Sequence, residues 1–263
     1  MTEIQQDAFK SIQQSIERLE SAQVFEASRQ MFELGRSSFQ SGNHAVATAL
    51  LERVVDFGDP FFGTQSLFLL TFIYRGLRNN EKISETYKRI SSLPDSHKTF
   101  ADPAMLGAAL VRSGNAQAAR KHYLAALAFD PNDGRVAANY AEFLLIQGEA
   151  QECIRQADRL ASLPSSRFQI EGRLLKGAAL FILGDHAGAE AEFRWIAASV
   201  ISAGQLPQDF DWDFSDARQV WERVNFPSAK LVIELLEKKL DFSGFCSAWQ
   251  ALYPAPQASL EKA

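Results

Sequence analysis

The segment GNAQAARKHYLAALAFDPND, residues 114–133, decides the fold of this chain of 263 residues. It opens on Gly114-Asn115, continues as an alanine-rich stretch, and ends at Asp130-Pro131. A glycine–polar pair at the start is typical of a turn, and a proline just beyond a helical stretch marks its end. The pattern predicts a turn followed by one amphipathic helix, which needs a partner helix to bury its apolar side.

The same turn recurs along the chain at a nearly constant spacing. The turn position is occupied by Gly42, Arg78, Gly114, Gly148 and Gly184, so successive turns lie 36, 36, 34 and 36 residues apart, and Arg78 marks the weakest copy. Each turn is preceded by a second segment of helical period, so the repeating unit is a pair of helices. One such pair cannot bury its apolar face alone, and stacking of neighbouring pairs stabilises the array.

Small and large residues occupy fixed places in these pairs. Five residues after the turn stands an alanine, and four residues later a large residue, so we predict that the alanine forms a notch and the large side chain packs beyond it. A glycine on the preceding helix supplies a matching small site. The residues concerned are Ala47, Ala119 and Ala189, then Leu51, Tyr87, Tyr123 and Phe193, and finally Gly35, Gly107 and Gly177.

This pattern resembles the tetratricopeptide repeat family over roughly residues 28–205, and most closely over 100–133. Ile83 and Cys153 depart from it, each standing where the family has a small alanine. The resemblance implies an all-α, right-handed superhelical solenoid of helix-turn-helix repeats that ends in a helical C-terminal cap. It also implies a concave groove, lined by the first helix of each repeat, that binds extended or helical peptides.

The predicted organisation has three parts. Residues 1–27 form an N-terminal capping helix with apolar residues at helical spacing (Ile4, Phe9, Ile12, Ile16 and Leu19). Five repeats follow, at residues 28–63, 64–99, 100–133, 134–169 and 170–205. Residues 206–263 lose the period and form a helical cap and tail, because the end of a repeat array needs a polar outer side. In this cap we expect Trp212, Phe214 and Trp221 to pack onto the last repeat.

Composition and charge restrict the function classes. The net charge of −5 argues against a nucleic-acid-binding protein, since such domains are usually basic. No apolar run is long enough for a membrane span, and no secretory signal is visible, so we expect a cytoplasmic protein. Cys153 and Cys246 stand far apart without a second pair, which favours two free thiols over a disulfide.

The motifs that would indicate catalysis or metal binding are incomplete. The stretch Gly58–Thr64 has two glycines of a phosphate-binding loop, but Thr64 stands where the loop needs lysine. Asp209, Asp211 and Asp213 have the spacing of a calcium loop, yet Phe214 and Val220 replace the glycine and the final glutamate that calcium requires. We therefore expect no enzyme, no metal and no cofactor.

Transferred onto this sequence, the family's groove contains arginines and phenylalanines. Arginine pairs with carboxylates and phenylalanine offers apolar contacts, so we predict a peptide partner that is acidic and carries apolar anchors. Two alternatives stay open here: the arginines are merely solvated, or the phenylalanines pack between repeats. The predicted groove residues are Arg29, Phe32, Arg36, Phe68, Phe72, Arg75, Arg112 and Arg135.

The sequence thus predicts a non-enzymatic scaffold that binds a peptide or protein segment in its groove. A clamp for a C-terminal carboxylate, as in the chaperone-binding members of the family, is not expected, because Phe32, Phe72 and Arg36 replace the polar residues of that clamp. The alternative function is a regulatory or substrate-docking subunit of an enzyme or secretion complex, with the region from Asp209 onward as the docking element.

Overall fold

The computed structural model describes residues 3–208, 210, 212, 214 and 217–254, and describes side chains from Glu20 onward. These residues form fourteen helices, and no residue among them lies in a β-strand, which confirms the predicted all-α helical repeat. The helices are α1 (Glu3–Gln40), α2 (His44–Phe57), α3 (Pro60–Gly76), α4 (Asn80–Ser91), α5 (Asp95–Lys98), α6 (Pro103–Arg112), α7 (Ala116–Phe129), α8 (Gly134–Ile146), α9 (Ala150–Ala161), α10 (Ser166–Ile182), α11 (His186–Ala203), α12 (Arg218–Arg223), α13 (Pro227–Leu236) and α14 (Phe242–Leu252).

The chain divides into two compact units, an N-terminal unit (Met1–Ala119) and a C-terminal unit (Arg120–Ala263), with the boundary inside α7. In the N-terminal unit, α1 packs on α2 and also along α3, α3 packs on α4, and α6 packs on α4. In the C-terminal unit, α8 packs on α9, α9 and α11 both pack on α10, and α13 packs on α11 and α14. Each unit is therefore built from consecutive helix pairs, as the repeat predicts.

All five predicted turns have the same backbone conformation. Gly42, Gly114, Gly148 and Gly184 have φ between 77° and 83°, and Arg78 adopts the same left-handed region at 53°. In each turn this residue donates its amide to the carbonyl three residues back, and the next residue donates to the carbonyl five residues back. Both bonds satisfy carbonyls that the end of the helix leaves without an intrahelical partner. The predicted turn spacing is thereby confirmed, including the weak copy at Arg78.

The residue after the turn starts the second helix of the pair. In four of the five turns its side chain accepts a hydrogen bond from an amide three residues further on, as the cap of α2 does with Val46. Such a cap satisfies an amide that the first helical turn leaves open. The capping residues are Asn43, Asn79, Asn115 and Asp185.

The predicted notches are present. Ala47, Ala119 and Ala189 are fully buried, and so are Leu51 and Phe193. A Cβ atom on Gly35 would lie 3.0 Å from Leu51 Cγ, and a Cβ atom on Gly177 would lie 2.8 Å from Phe193 Cε2. The glycine of the first helix therefore faces the large residue of the second helix directly, which explains why no larger residue stands at either position.

The N-terminal segment differs from the prediction. Residues 1–27 were expected to form a separate capping helix, but α1 runs unbroken from Glu3 to Gln40, so the predicted boundary lies inside one helix. The physical reason is that residues 3–34 contain neither glycine nor proline, so nothing ends the helix. At 1.5 Å per residue α1 is about 57 Å long and α2 about 21 Å. Helix α1 is therefore much longer than the helix that pairs with it, and residues 20–25, the first whose side chains the structure describes, are exposed.

The C-terminal region packs on the last predicted repeat. The ring of Phe226, just before α13, stacks on Phe181 of α10 at 5.6 Å and meets Phe193 of α11 edge-on at 5.3 Å. Of the three aromatic residues expected to make this contact, Phe214 and Trp221 are buried against each other at 5.4 Å, and Trp212 is half-buried. Phe226, which the sequence analysis did not single out, thus makes aromatic contacts with both α10 and α11.

A sixth helix pair, α13 and α14, follows the five predicted repeats in the described part of the chain. Lys238, between α13 and α14, has a φ of 59° and makes the same two turn hydrogen bonds as the glycines of the repeats. Asp241 then caps α14 by accepting a hydrogen bond from the amide of Gly244. The region that loses the repeat period thus keeps the repeat's turn, lengthened by two residues.

Candidate interaction surface

One side of the first helices in the N-terminal unit stays accessible, and we call it the open face. On α3 its residues follow one another at the spacing of a single helical face. The residues 36 positions earlier form the corresponding stripe on α1, so the open face repeats with the period of the array. Its members are Phe25, Arg29, Glu33 and Arg36 on α1, and Phe61, Gln65, Leu69 and Phe72 on α3.

A phenylalanine cluster lies at one end of the open face. Phe62 is buried at its centre, with the rings of Phe25, Phe32 and Phe61 at 5.3, 5.5 and 5.0 Å, and Phe100 meets Phe61 edge-on at 5.6 Å. Phe25, Phe61 and Phe100 remain 47%, 42% and 40% exposed. These large side chains hold one another in place while their outer edges stay in water, so they form an exposed apolar patch.

The three phenylalanines predicted to line the groove have different positions. Phe72 lies on the open face and is 44% exposed. Phe68 is only 5% exposed and belongs to the core, so its assignment to an accessible groove is corrected. Phe32, which occupies the equivalent position one repeat earlier, is half-buried and packs against Phe62 of the next first helix. Phe32 therefore follows the alternative in which a phenylalanine packs between repeats, and Phe68 is a core residue.

The two arginines of α1 lie on the open face and are paired along their own helix. Arg29 donates to Glu26 through Nε at 3.0 Å and through Nη2 at 2.6 Å. Hydrogen bonds from Arg29 and then from Gln30 lower the pKa of Glu26 to about 2. Arg36 donates to a single oxygen of Glu33, Oε2, through Nε at 3.1 Å and through Nη2 at 2.5 Å. The two arginines and the two glutamates together carry no net charge, so positive charge is confined to the two guanidinium groups.

The other three predicted arginines are placed differently. Arg75 is half-buried in the last turn of α3. The guanidinium of Arg112, at the end of α6, lies 4.3 Å from the centre of the Tyr87 ring, an arrangement in which the ring face attracts the cation. Arg135 is exposed at the start of α8 and belongs to the C-terminal unit. The structure therefore brings Arg29, Arg36 and Phe72 onto one face of the N-terminal unit.

The sequence analysis missed the three exposed members of the phenylalanine cluster. Phe25 and Phe61 stand 36 residues apart, which is the repeat period, so a comparison of equivalent positions could have paired them. Phe100 lies between α5 and α6, outside the helical pattern, and the side chain of Gln65 fixes its backbone by donating a hydrogen bond to its carbonyl at 2.9 Å. No sequence signal pointed to Phe100.

Groups capable of other chemistry do not converge in the described part of the chain. No group of three or more histidine, cysteine, aspartate or glutamate side chains is placed there to hold a metal ion. Asp209, Asp211 and Asp213 lie outside the described residues. Cys153 and Cys246 are both free thiols, and burial raises the pKa of Cys153 to about 12, so that thiol stays protonated at neutral pH. No helix of the described chain has the length and apolar character needed to cross a membrane.

A cavity of about 270 Å³ lies in the C-terminal unit, between α10, α11 and the loop that follows Gly204. Its walls include Ile170, Trp195, Val200 and Leu206, together with the polar residues Gln169 and Ser199. The guanidinium of Arg173 lies 4.2 Å from the centre of the Trp195 ring and also pairs with Glu192. These contacts hold the tryptophan between two helices.

No protein-family model and no curated protein matches this chain. Among solved structures the chain is similar to one from a functional characterisation of PilF of Pseudomonas aeruginosa, with 16% sequence identity over 88% of this chain and 94% of that chain. The TM-score is 0.34, and a similarity of that degree carries no argument about function. The tetratricopeptide-like repeat is therefore argued from the turns, notches and helix pairs of the chain itself.

Proposed function

We propose that the chain is a cytoplasmic, non-enzymatic interaction scaffold whose open face binds a peptide or protein segment with apolar anchors and acidic residues. The observation that supports the proposal most is the phenylalanine cluster. Phe25, Phe61 and Phe100 are held in mutual contact, yet each keeps at least 40% of its surface in water. Covering such rings on binding is favourable, because about 25 cal/mol is gained per Å² of apolar surface removed from water.

The cluster is preorganised for binding. Phe62 holds Phe25 and Phe61 from below, and the Gln65 side chain ties the backbone of Phe100 to α3. Side chains already fixed in the free protein lose little conformational entropy when a ligand arrives. Phe72 continues the apolar surface along α3, so an extended or helical segment lying along the open face meets apolar contacts at two places.

The charges of the open face favour an acidic ligand. Arg29 and Arg36 now pair with Glu26 and Glu33, and all four side chains are about half exposed. Exposed ion pairs contribute little to stability, so a ligand carboxylate replaces the glutamate at small cost. Two parallel hydrogen bonds from a guanidinium group to a carboxylate give such a contact direction as well as energy.

Peptide selection on the purified chain tests this proposal. A phage-displayed peptide library is panned against the immobilised full chain, and enriched sequences are synthesised and titrated by calorimetry. We expect enriched peptides to combine aromatic or aliphatic residues with Asp or Glu, and to lose affinity for the Phe61→Ser variant. Leu183→Ser, which removes an exposed apolar side chain in the C-terminal unit, is the matched control and leaves affinity unchanged. Enriched peptides that bind Phe61→Ser and the wild type equally would exclude the phenylalanine cluster as the site.

A further inference from the structure

The cavity between α10, α11 and the loop after Gly204 lies where the regular stacking of helix pairs is interrupted. The second helices of the first four pairs, α2, α4, α7 and α9, have 12 to 14 residues, whereas α11 has 18. Val200 and Ala203, which line the cavity, belong to the additional turn of α11. Helix α10 begins at Ser166, only four residues after α9 ends, but after α11 the next helix that packs on it, α13, begins at Pro227.

In three earlier pairs an aromatic ring from the following pair lies against the first helix. Phe62 of α3 packs on α1, with the centre of its ring 5.5 Å from that of Phe32. Phe100, just before α6, packs on α3 in an edge-on contact. Phe168 of α10 lies on Gly134, the first residue of α8, and its ring occupies the space that a side chain at residue 134 would need.

On α10 the cavity takes the place of such a ring. Phe62 and Phe168 each stand 20 residues after the glycine of the preceding turn, and the fifth repeat has Gly204 at this position. Ile170, which lies 36 residues after Gly134 and is therefore its equivalent on α10, lines the cavity. The isoleucine side chain is buried, and about 270 Å³ stays open beside it.

The C-terminal region contacts α10 at a different point. Phe226 stacks on Phe181, close to the C-terminal end of α10. Phe181 lies 11 residues after Ile170, which corresponds to about 16 Å along the helix. Phe226 therefore does not occupy the cavity at the N-terminal end of α10.

The size of the cavity fits one aromatic side chain. A cavity of about 150 Å³ is enough to hold benzene, whereas pockets for drug-sized ligands have about 300 Å³ or more. At about 270 Å³ this cavity accommodates a phenylalanine or tryptophan side chain but is small for a cofactor. The ring of Trp195 forms part of the wall, and paired aromatic rings attract each other beyond the effect of their buried area.

The walls of the cavity favour an uncharged occupant. None of the described residues that line it is charged, and a buried charge without a partner is costly. Arg173, on the next turn of α10, is already paired with Glu192 at 2.7 Å. Gln169, Ser199 and Gln205 offer hydrogen-bonding groups to the peptide units on either side of an inserted side chain. An aromatic side chain within an uncharged segment therefore matches the cavity.

We propose that this cavity is a second binding site, which takes one phenylalanine, tyrosine or tryptophan side chain from an uncharged segment of a partner protein. The partner's ring takes the position on α10 that corresponds to the position of Phe168 on α8, so the partner continues the stacking where the regular repeats stop. The site lies within the C-terminal unit and uses no residue of the open face. It therefore stands or falls independently of the proposed function.

The indole N–H signals of the isotope-labelled full chain test the site by nuclear magnetic resonance. The chain has four tryptophans, and the signal that is missing in Trp195→Phe belongs to Trp195. We expect N-acetylphenylalaninamide and N-acetyltryptophanamide to shift this signal with a dissociation constant in the millimolar range, and to leave that of Trp249 on α14 unchanged. N-acetylleucinamide should bind several times more weakly, because it has no ring.

Two tryptophan substitutions supply the matched variants. Ala203→Trp places a large side chain on the cavity wall and should abolish the response of Trp195 to the aromatic amides. Ser202→Trp adds the same side chain one residue away, at a position that does not line the cavity, and should leave the response unchanged. Both positions are exposed, so we expect circular dichroism to show that both variants keep the helical fold.

Peptide selection identifies the source of the ring. A displayed peptide library is panned against the Phe61→Ser variant, in which the open face is weakened. Enriched peptides are then tested for displacement of N-acetyltryptophanamide from the site at Trp195. We expect peptides with an aromatic residue among uncharged neighbours, which bind the Ser202→Trp variant and do not bind the Ala203→Trp variant.

Three results would overturn the proposal. If neither aromatic amide shifts the Trp195 signal, the cavity is only a gap in the packing. If the response persists in Ala203→Trp, the amides bind elsewhere on the chain. If the amides bind at Trp195 but no selected peptide displaces them, the cavity is a site for a free small molecule and not for a protein segment.

Discussion

Gly177 of α10 lies against the ring of Phe193 on α11, so closely that a Cβ atom on Gly177 would stand 2.8 Å from Cε2. Gly35 of α1 and Leu51 of α2 are the equivalent pair in the first repeat, and there a Cβ atom on Gly35 would stand 3.0 Å from Leu51 Cγ. The absence of a side chain on the first helix therefore sets how closely the two helices of a pair approach. This makes glycine a packing requirement at these positions, although it has a low helix propensity.

Gly177→Ala is expected to destabilise the chain by about 1–3 kcal/mol, the cost of one extra methyl group in a filled site. Gly63→Ala is the matched control, because its new Cβ atom would meet its nearest neighbour, the Val54 carbonyl oxygen, at an ordinary 3.9 Å. That variant is expected to be neutral or to gain up to about 1 kcal/mol from helix propensity. Urea unfolding followed by circular dichroism measures both changes. A Gly177→Ala chain as stable as the wild type would show that the pair tolerates a wider separation.

Arg78→Gly is expected to stabilise the chain. Arg78 occupies the turn position where four other repeats have glycine, and its φ of 53° is costly for a residue with a side chain. Relief of that strain exceeds the entropy cost of glycine in the unfolded chain, giving a net gain of roughly 0.5–1 kcal/mol.

The reverse change supplies the matched comparison for the turn. Gly114→Arg places a side chain at a φ of 78° and should cost a similar amount or more. Thermal unfolding of the two variants beside the wild type measures both effects. Melting temperatures that fall for both variants would mean that the Arg78 side chain makes contacts worth more than the backbone strain.

The turns could be predicted from the sequence because they are local. Glycine at a fixed interval and a capping residue beside it specify both the end of one helix and the start of the next. Even Arg78 was placed correctly, since its neighbours kept the interval. The turn at Lys238 was not predicted, because Lys238 lies 54 residues after Gly184 and so does not fit the repeat interval.

The open face could be predicted only in part. Where a helix is apolar on more than one side, helical periodicity does not show which apolar side is buried and which is exposed. Helix α3 carries one phenylalanine in the core, Phe68, and another on the open face, Phe72. Only packing distinguishes them, and Phe68 proved to be core. The continuity of α1 was missed for a related reason: a repeat boundary was assigned by spacing where no residue breaks the helix.

Tyr253 is expected to stabilise the C-terminal helix pair through Glu190, and to do so in a pH-dependent way. Glu190 accepts hydrogen bonds from the Tyr253 and Ser228 hydroxyl groups and from Arg194 Nε at 2.9 Å, and Arg194 lies 4.0 Å from the centre of the Tyr253 ring. Burial acts to raise the pKa of Glu190, but these three hydrogen bonds more than offset it, so the pKa lies below its ordinary value of 4.5.

The sign of the pH effect follows from that direction. A depressed pKa means that the network stabilises the fold above about pH 4.5 and is lost as pH falls through the lower, folded-state value. Tyr253→Phe should cost about 1 kcal/mol at neutral pH, and the difference from the wild type should shrink under acid conditions. Ser247→Ala, whose hydroxyl bonds only within α14, is the control and changes stability equally at every pH. A Tyr253→Phe penalty that is constant with pH would exclude Glu190 as the acceptor that matters.

The last prediction concerns the charges of the open face, and it rests on the proposed function. For an acidic peptide obtained by selection on the wild type, added salt should weaken binding while leaving a residual affinity from the phenylalanine cluster. Screening acts on the exposed guanidinium groups of Arg29 and Arg36 and does not act on apolar contacts. The salt dependence therefore separates the two contributions within one titration series.

Charge reversal sharpens the same test. Arg29→Glu/Arg36→Glu should weaken the acidic peptide more than Arg29→Gln/Arg36→Gln, because the reversed side chains repel the ligand while the neutral ones only cease to attract it. The reversed variant should keep a stability close to that of the wild type, since the lost ion pairs are exposed and the new like-charge neighbours lie on a helix surface. Calorimetry of both variants at low and high salt gives the comparison. If the two variants bind equally well and keep the wild-type salt dependence, the acidic residues of the peptide contact other residues, and only the apolar part of the proposed surface stands.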